Sequence, residues 1–107
     1  MASTGPIHSC YDDDPEHTEA IDGFVLALAE RVDELQDLEA GGDFRSLEQR
    51  AAHLATDAER CGYLPLRRSA EEVGTAAQER NGEIAHKALV ELTDVARRVR
   101  QGHRGAL

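Results

Sequence analysis

Apolar residues recur along this chain at alternating steps of three and four, the spacing of a helix with one buried face. The pattern is clearest over residues 42–63, within which it predicts a helix of about five turns. Its apolar stripe consists of Phe44, Leu47, Ala51, Leu54, Ala58 and Cys61. Asp43 stands directly before the stripe, where its side chain can accept a hydrogen bond from an unpaired backbone amide. We therefore predict an amphipathic helix that is capped by Asp43 and ended by Gly62.

A second stretch of the same kind precedes this one. Residues 12–16, DDDPE, predict a helix start, because Asp is a favoured cap and proline is tolerated at the first helical position. The stripe that follows consists of Ile21, Phe24, Val25, Leu28, Val32 and Leu35. Gly41 and Gly42 predict the end of this helix near Ala40.

Two further helical patterns follow residue 63. Pro65 predicts the start of a third helix ending near Arg80, and Asn81-Gly82 indicates a turn after it. The third helix has a thin stripe of Leu66, Ala70, Val73 and Ala77. The fourth, over residues 83–101, has the widest apolar face: Ile84, Ala85, Ala88, Leu92, Val95, Ala96 and Val99.

These helices predict an all-α fold. Short loops favour antiparallel neighbours, so we expect an up-down-up-down antiparallel four-helix bundle. Residues 7–11 are expected to form a short N-terminal capping helix or turn over one end of that bundle. No stretch alternates apolar and polar residues, so no strand is predicted. We expect one domain over residues 1–107, frayed at 1–6 and 102–107.

Charge and composition narrow the range of functions. The formal net charge is −9, and the first 43 residues hold twelve Asp and Glu against one Arg, whereas a nucleic-acid partner needs the opposite sign. No apolar run approaches the ~20 residues of a membrane span, and no secretory signal is evident. We expect a cytoplasmic protein whose Cys10 and Cys61 are free thiols, with no nucleic-acid or membrane partner.

The candidate chemistry rests on histidines. His8, Cys10 and His17 are possible metal ligands, but their spacing matches no tight zinc pattern and no fourth ligand is nearby, so we predict no metal site. His86 and His103 are predicted to be surface residues. His53 lies on the polar face of the 42–63 helix, where Asp57, one turn later, could orient its ring. With no glycine-rich phosphate loop and no catalytic triad, we expect neither a cofactor nor enzymatic activity.

Residues 42–73 resemble the histidine-containing phosphotransfer (Hpt) domain, a four-helix bundle used in two-component phosphorelays. Its second long helix carries a pattern like GD-[aromatic]-x-x-L-x-x-x-A-H-x-L-K-G. Six residues fall on this pattern without a gap: Gly42, Asp43, Phe44, Leu47, Ala51 and Leu54. Five more continue it: Gly62, Tyr63, Leu66, Ala70 and Val73. The resemblance implies an Hpt-like bundle that meets the receiver domain of a response regulator or a histidine kinase.

The chain departs from this pattern at the phospho-accepting position, which falls on Ala52. His53 comes one residue later, and the family's lysine and glycine positions fall on Ala55 and Thr56. One residue is a rotation of about 100°, so His53 presents its ring elsewhere unless the helix bulges near Ala51. The missing lysine also removes a cation that would help to hold a phosphoryl group.

Three functional hypotheses follow. In the first, the chain is a degenerate Hpt-like module that docks on a partner without phosphotransfer. Its contacts would be Arg45, Gln49, Ala52, His53, Thr56, Glu59 and Arg60. In the second, it is an active phosphotransfer protein with His53 as the phosphoryl carrier. In the third, it is a self-association module whose apolar stripe over residues 44–61 forms a dimer seam.

Overall fold

A computed structural model describes residues 5–105 of the chain. It contains four α-helices: α1 (Thr18–Ala40), α2 (Phe44–Arg60), α3 (Leu64–Gln78) and α4 (Gly82–Gly105). No strand occurs within these residues. The radius of gyration is 13.5 Å, close to the value of about 13 Å for a compact domain of 100 residues. The all-α prediction is confirmed.

Helix α1 begins later than predicted. Asp14 does not cap it, because the Asp14 side chain accepts from the Glu16 amide at 2.9 Å and contacts the His17 ring at 2.9 Å. These bonds hold residues 14–17 in turns, and the helix starts at Thr18. His17 is its N-cap residue, but the His17 side chain makes no capping hydrogen bond to the helix.

Helix α2 has the predicted boundaries. The Asp43 side chain accepts from the Ser46 amide at 3.1 Å, which is the N-cap bond expected from the sequence. Gly42 and Gly62 have φ of +73° and +79°, the left-handed conformation that glycine adopts at little cost. Helix α2 is thus bounded by residues that the sequence identifies.

The connection between α3 and α4 differs in detail from the predicted Asn81-Gly82 turn. Arg80 takes the left-handed conformation, with φ of +55°, and Asn81 caps α4 by accepting from the Ile84 amide at 3.1 Å. Gly82 is the first residue of α4. The helix continues to Gly105, where the sequence predicted an end near Gln101 and a frayed segment from 102. At the N-terminus, where fraying was predicted over residues 1–6, Gly5 accepts a hydrogen bond from Arg98 at 2.8 Å. Residues 1–4 and 106–107 lie outside the described residues.

The core is built from the predicted stripes. The six stripe residues of α1 and the four of α3 are all buried. In α2, Leu47, Ala51 and Leu54 are at most 1% exposed, and Ala55 joins them at 7%. The prediction is wrong in α4 for Ile84, which is 51% exposed, and it omits Leu89, which is buried. Ile84 lies at an open groove between α3 and α4, whereas Leu89 lies on the α1 side of α4.

The helices form a ring in which α1 contacts α2 and α4, and α3 contacts the same two helices. The start of α4 meets the end of α1 through His86 and Glu39, and its end meets the start of α1 through His103 and Asp22, at 2.8 Å. Helices α1 and α2 are joined by Arg31–Asp57 at 2.9 Å and by Arg50–Glu34 at 3.5 Å. Helices α2 and α3 are joined by Arg67–Glu59 at 3.4 Å.

Residues 5–14 form an irregular strap with turns at residues 10–13, not the short capping helix that was one of the predicted alternatives. The Ile7 amide donates to the Arg98 carbonyl at 3.0 Å, and the Cys10 amide donates to the Gly62 carbonyl at 2.9 Å. The Ser9 hydroxyl also donates to the Cys61 carbonyl. The strap therefore covers the ends of α2 and α4, with Ile7 buried beneath it.

Tyr63 lies beside the strap as the residue before α3. It is 1% exposed, and its ring is stacked 6.0 Å from that of Phe24. Burial raises the pKa of the Tyr63 phenol to about 12, with Asp12 adding a smaller contribution in the same direction. Across residues 5–105, none of the helices combines the length and the apolar character that crossing a membrane requires.

Candidate functional site

Helix α2 carries the residues that the family resemblance singles out, and it is regular throughout. Every residue from Phe44 to Arg60 is α-helical, with no bulge near Ala51. The apolar residues Leu47, Ala51, Leu54 and Ala58 remain in one buried stripe. The backbone therefore makes no local adjustment that would move the His53 ring into the position aligned with Ala52.

The seven predicted contact residues share one property, which is exposure to solvent. They are Arg45, Gln49, Ala52, His53, Thr56, Glu59 and Arg60, and we call this set the α2 face. It carries two arginines and one glutamate, so its own charge is positive on a chain with a net charge of −9. An anionic partner surface would meet local attraction here.

One flank of the α2 face borders α3. Ala52, Thr56 and Glu59 line a shallow groove of about 220 Å³ there, together with Arg67 and Glu71. Arg67 is held from both sides, by Glu59 at 3.4 Å and by Glu71 at 3.2 Å. Ala52 presents only a methyl group to this groove, so the position aligned with the phospho-accepting histidine offers no nucleophile.

The other flank borders α1 and contains His53. The His53 ring lines a groove of about 340 Å³ with Glu34, Gln49 and Arg50. It is exposed, and the described residues give it no hydrogen-bond or ion-pair partner. Ala52 and His53 therefore open toward different neighbouring helices, as the 100° rotation per residue predicts.

Asp57 does not orient His53, although its spacing predicted that it could. Its carboxylate accepts a hydrogen bond from Arg31 of α1 at 2.9 Å. The Arg31 guanidinium also lies 5.9 Å from the centre of the Phe24 ring, in a cation–π contact. Asp57 thus joins α1 to α2, and this prediction about the candidate site is wrong.

The positions aligned with the family's lysine and glycine have local structural roles. Ala55 is only 7% exposed, so that position faces the core more than the solvent. The Thr56 hydroxyl donates to the Ala52 carbonyl at 3.1 Å within the helix. Neither residue supplies a cation or a bare backbone surface to an approaching phosphoryl group.

The remaining histidines are paired with carboxylates. His8 lies 3.4 Å from Asp12, and His17 lies 2.9 Å from Asp14 and stacks on Tyr11. His86 is exposed as predicted, whereas His103 is partly covered and contacts Asp22. Within residues 5–105, no three His, Cys, Asp or Glu side chains are grouped closely enough to hold a metal ion.

The two cysteines are not joined to each other. Cys10 is exposed and Cys61 is buried at the end of α2, and both are free thiols. Burial raises the pKa of the Cys61 thiol, and the Asp57 charge acts in the same direction. The group is therefore a neutral thiol near pH 7 and a poor nucleophile.

Two arginines near the α2 face were not singled out by the sequence. Arg67 follows Glu59 by eight residues across the short α2–α3 loop, so an antiparallel hairpin would have predicted their contact. Arg31 is 26 residues from Asp57 along the chain, and no sequence rule predicts their contact. Comparison with known proteins adds no further residue, because no family model, no curated protein and no solved structure matches this chain.

Proposed function

We propose that this chain is a degenerate Hpt-like module that docks through the α2 face on a receiver domain or a histidine kinase in the cytoplasm. In this proposal the helices form an up-down-up-down antiparallel bundle. The ion pairs of α1 support that arrangement, because the residue numbers rise along α1 and fall along both α2 and α4. Docking, not phosphotransfer, is its function.

One observation carries the proposal. Helix α2 is regular, so Ala52 occupies the exposed position that the sequence pattern aligns with the phosphorylated histidine. A methyl group at this position leaves the surface open to a partner while removing the nucleophile. The charged side chains around it, Arg45, Glu59 and Arg60, provide complementary contacts for a partner surface.

The exposed His53 ring favours one competing function, phosphotransfer by His53. The ring is accessible and has no partner among the described residues, as a phosphoryl carrier requires. Against this, His53 opens toward α1 with Glu34 nearby, and Ala55 supplies no cation to the phosphoryl group. These features favour docking over transfer.

Self-association through the 44–61 stripe is not favoured by the structure. Leu47, Ala51 and Ala58 are fully buried against the other helices of the same chain. A dimer seam built from this stripe would require the chain to open first, because the same side chains cannot fill two interfaces.

The test is incubation of the protein with phosphorylated receiver domains of the source organism, followed by two measurements. The first is protein-bound label that is stable in alkali and labile in acid, the behaviour of phosphohistidine. The second is binding to each receiver by titration calorimetry. We expect no label, and saturable binding that weakens at least about tenfold, or 1.4 kcal/mol, in Ala52→Arg.

Two matched variants control for charge and size. Ala27→Arg makes the same change at an exposed alanine of α1, outside the α2 face, and is expected to leave binding unchanged. His53→Gln is compared with His86→Gln, an exposed histidine on α4. Label on the native protein that His53→Gln alone abolishes would replace the docking proposal with phosphotransfer. Absence of both label and binding would refute phosphotransfer from these receivers and docking on them.

A further inference from the structure

A second open surface lies on the opposite side of α3 from the α2 face. It is a groove between α3 and α4 of about 440 Å³. Its floor includes Ala76 and Ala88, which are 2% and 8% exposed. Both residues are alanines, so this part of the lining is apolar. Neither the docking proposal nor the strap uses this groove.

An apolar side chain is left exposed at its edge. Ile84 is 51% exposed and lines the groove, although the periodicity of α4 predicted its burial. Because its side chain remains in contact with water, Ile84 does not contribute the free energy that burial of an isoleucine side chain would give. An apolar side chain from a partner would recover that contribution by covering Ile84.

The rim of the groove is acidic. Glu72, Glu79 and Glu91 line it, and none of them has an ion-pair partner among residues 5–105. Glu71 is also present but is paired with Arg67. Lys87 is the cation among the lining residues, so the negative charges exceed the positive charge.

We propose that this groove binds a cationic amphipathic helix of a partner protein. The apolar face of such a helix would lie on Ile84, Ala76 and Ala88, as in other helix-in-groove complexes. Glu72 lies in α3 and Glu79 is the residue at its C-terminal cap, seven positions or about 10.5 Å farther along the helix axis. Lys or Arg residues seven positions apart on the bound helix would therefore face both carboxylates at once.

A second copy of this chain is a poorer occupant. The end of α4 has the densest group of arginines in this chain, at positions 97, 98 and 100. There, Arg97 contacts Asp94 at 2.8 Å and Arg98 donates to the Gly5 carbonyl at 2.8 Å. A copy using these arginines would first have to break its own contacts, including one that holds the strap.

The test uses a fluorescein-labelled helical peptide of about 18 residues, five turns, with a Leu and Ala stripe flanked by Lys. A matched peptide carries Glu in place of each Lys. Binding is followed by fluorescence anisotropy at about 0.05 M and 0.3 M salt, since screening weakens charge pairs. We expect the Lys peptide to bind, the Glu peptide not to bind, and amide chemical-shift changes to centre on Ala76, Ile84 and Ala88.

Two double variants separate the groove from net charge. Glu72→Lys with Glu79→Lys is expected to weaken binding at least about tenfold. Glu30→Lys with Asp33→Lys makes the same charge change on exposed positions of α1, which does not contact α3. The affinity of this control for the peptide is expected to stay within about twofold of the native value. Charges that lie farther from the groove than the screening length have little effect on binding there. Ile84→Gln, at an exposed position, tests the apolar contribution and is expected to weaken binding at both salt concentrations.

Several results would overturn the proposal. These are absence of binding at low salt, equal weakening in both double variants, or shift changes that centre on the α2 face. Sedimentation showing a dimer that Glu72→Lys with Glu79→Lys dissolves would assign the groove to a second copy instead. This proposal does not rest on receiver binding, and Ala52→Arg is expected to leave peptide binding unchanged.

Discussion

The two ends of the molecule are closed in different ways. At one end, which we call the strapped end, residues 5–14 bond to the ends of α2 and α4. At the other, the turn end, residues 41–43 join α1 to α2 and residues 79–81 join α3 to α4. The turn end has local capping bonds, such as Asp43 to Ser46 and Asn81 to Ile84, together with the pair His86–Glu39. The strapped end joins residues as much as 93 positions apart, as in the Arg98–Gly5 bond.

This difference separates two sources of stability. Caps and left-handed residues at the turn end act within a few residues, so each is expected to contribute independently. The strap instead packs on the backbone of two helices, and a single added methyl group there has to displace several atoms. The same kind of substitution should therefore change the free energy of unfolding by different amounts at the two ends. The difference measures how much packing of the strap contributes to stability.

The largest effect is expected for Gly62→Ala at the strapped end, compared with Gly42→Ala at the turn end. Both glycines are left-handed, but a Cβ at Gly62 would lie 2.7 Å from the Ser9 Oγ and 2.9 Å from the Cys10 amide nitrogen. A Cβ at Gly42 meets nothing within 4 Å. In urea unfolding we expect a loss of about 3 kcal/mol for Gly62→Ala and about 1 kcal/mol for Gly42→Ala. Backbone strain acts at both positions, whereas crowding by neighbouring atoms is added only at Gly62. Equal losses would mean that the strap is not packed on Gly62.

The next effect is expected for Gly102→Ala, compared with Gly23→Ala. Both glycines lie within helices, where alanine is intrinsically the better residue. A Cβ at Gly102 would be placed against the Ile7 carbonyl, whereas a Cβ at Gly23 meets nothing within 4 Å. Thermal and urea unfolding should show a loss of about 2 kcal/mol for Gly102→Ala and a gain of about 0.5 kcal/mol for Gly23→Ala. A gain in both variants would contradict close packing of the strap on α4.

A smaller effect of opposite sign is expected for Arg80→Gly at the turn end. Arg80 has φ of +55°, a conformation that costs energy in every residue with a Cβ. Glycine removes that cost but gains freedom in the unfolded chain, so we expect a net stabilisation of about 0.5 kcal/mol in urea unfolding. Destabilisation by Arg80→Gly would show that the arginine side chain contributes more than its backbone conformation costs.

The smallest effect is the pH dependence of the Asp43 cap. The backbone hydrogen bond from Ser46 lowers the pKa of Asp43 below its ordinary value of 3.8. Because the pKa of Asp43 is lower in the folded chain than in the unfolded chain, ionised Asp43 stabilises the fold at pH values above the unfolded-chain pKa. That contribution is lost as the pH falls through the folded-chain pKa. Urea midpoints measured from neutral pH downward should therefore fall less below about pH 4 in Asp43→Asn, which keeps an accepting oxygen, than in the native protein. Identical pH profiles would exclude a contribution from this cap.

The sequence predicts most of the turn end and little of the strapped end. Asp43 and Gly42 act within a few residues of their own position, so local rules identify them. At the strapped end the same rules identify Gly62 as a helix end, but not its contact with the strap. Contact between the strap and Arg98 depends on how α4 is placed relative to the N-terminus, and no local pattern encodes that. The same reason explains why the sequence predicted burial for Ile84 and omitted Leu89. Periodicity gives the direction of an apolar stripe, but it does not show which of the two edges of the stripe another helix covers.

In the candidate site, too, the sequence predicts what depends on one helix and does not predict a contact between two helices. The relative orientation of Ala52 and His53 follows from the 100° rotation along one helix, and the regular α2 agrees with it. The partner of Asp57 could not be predicted, since Arg31 belongs to another helix and its distance to Asp57 is set by packing of the whole ring. The docking and phosphotransfer hypotheses both remain predictions that binding and labelling experiments decide.

The burial of Tyr63 gives this protein an optical reporter of its own. The chain contains no tryptophan and only two tyrosines, so near-ultraviolet absorbance depends largely on two phenols. A phenol whose pKa is raised to about 12 in the folded chain stabilises the fold below the unfolded value, about 10, and that contribution is lost as pH rises toward 12. A variant or a bound partner that opens the strapped end would let this phenol ionise at lower pH. An alkaline absorbance titration would then record the opening without any added dye.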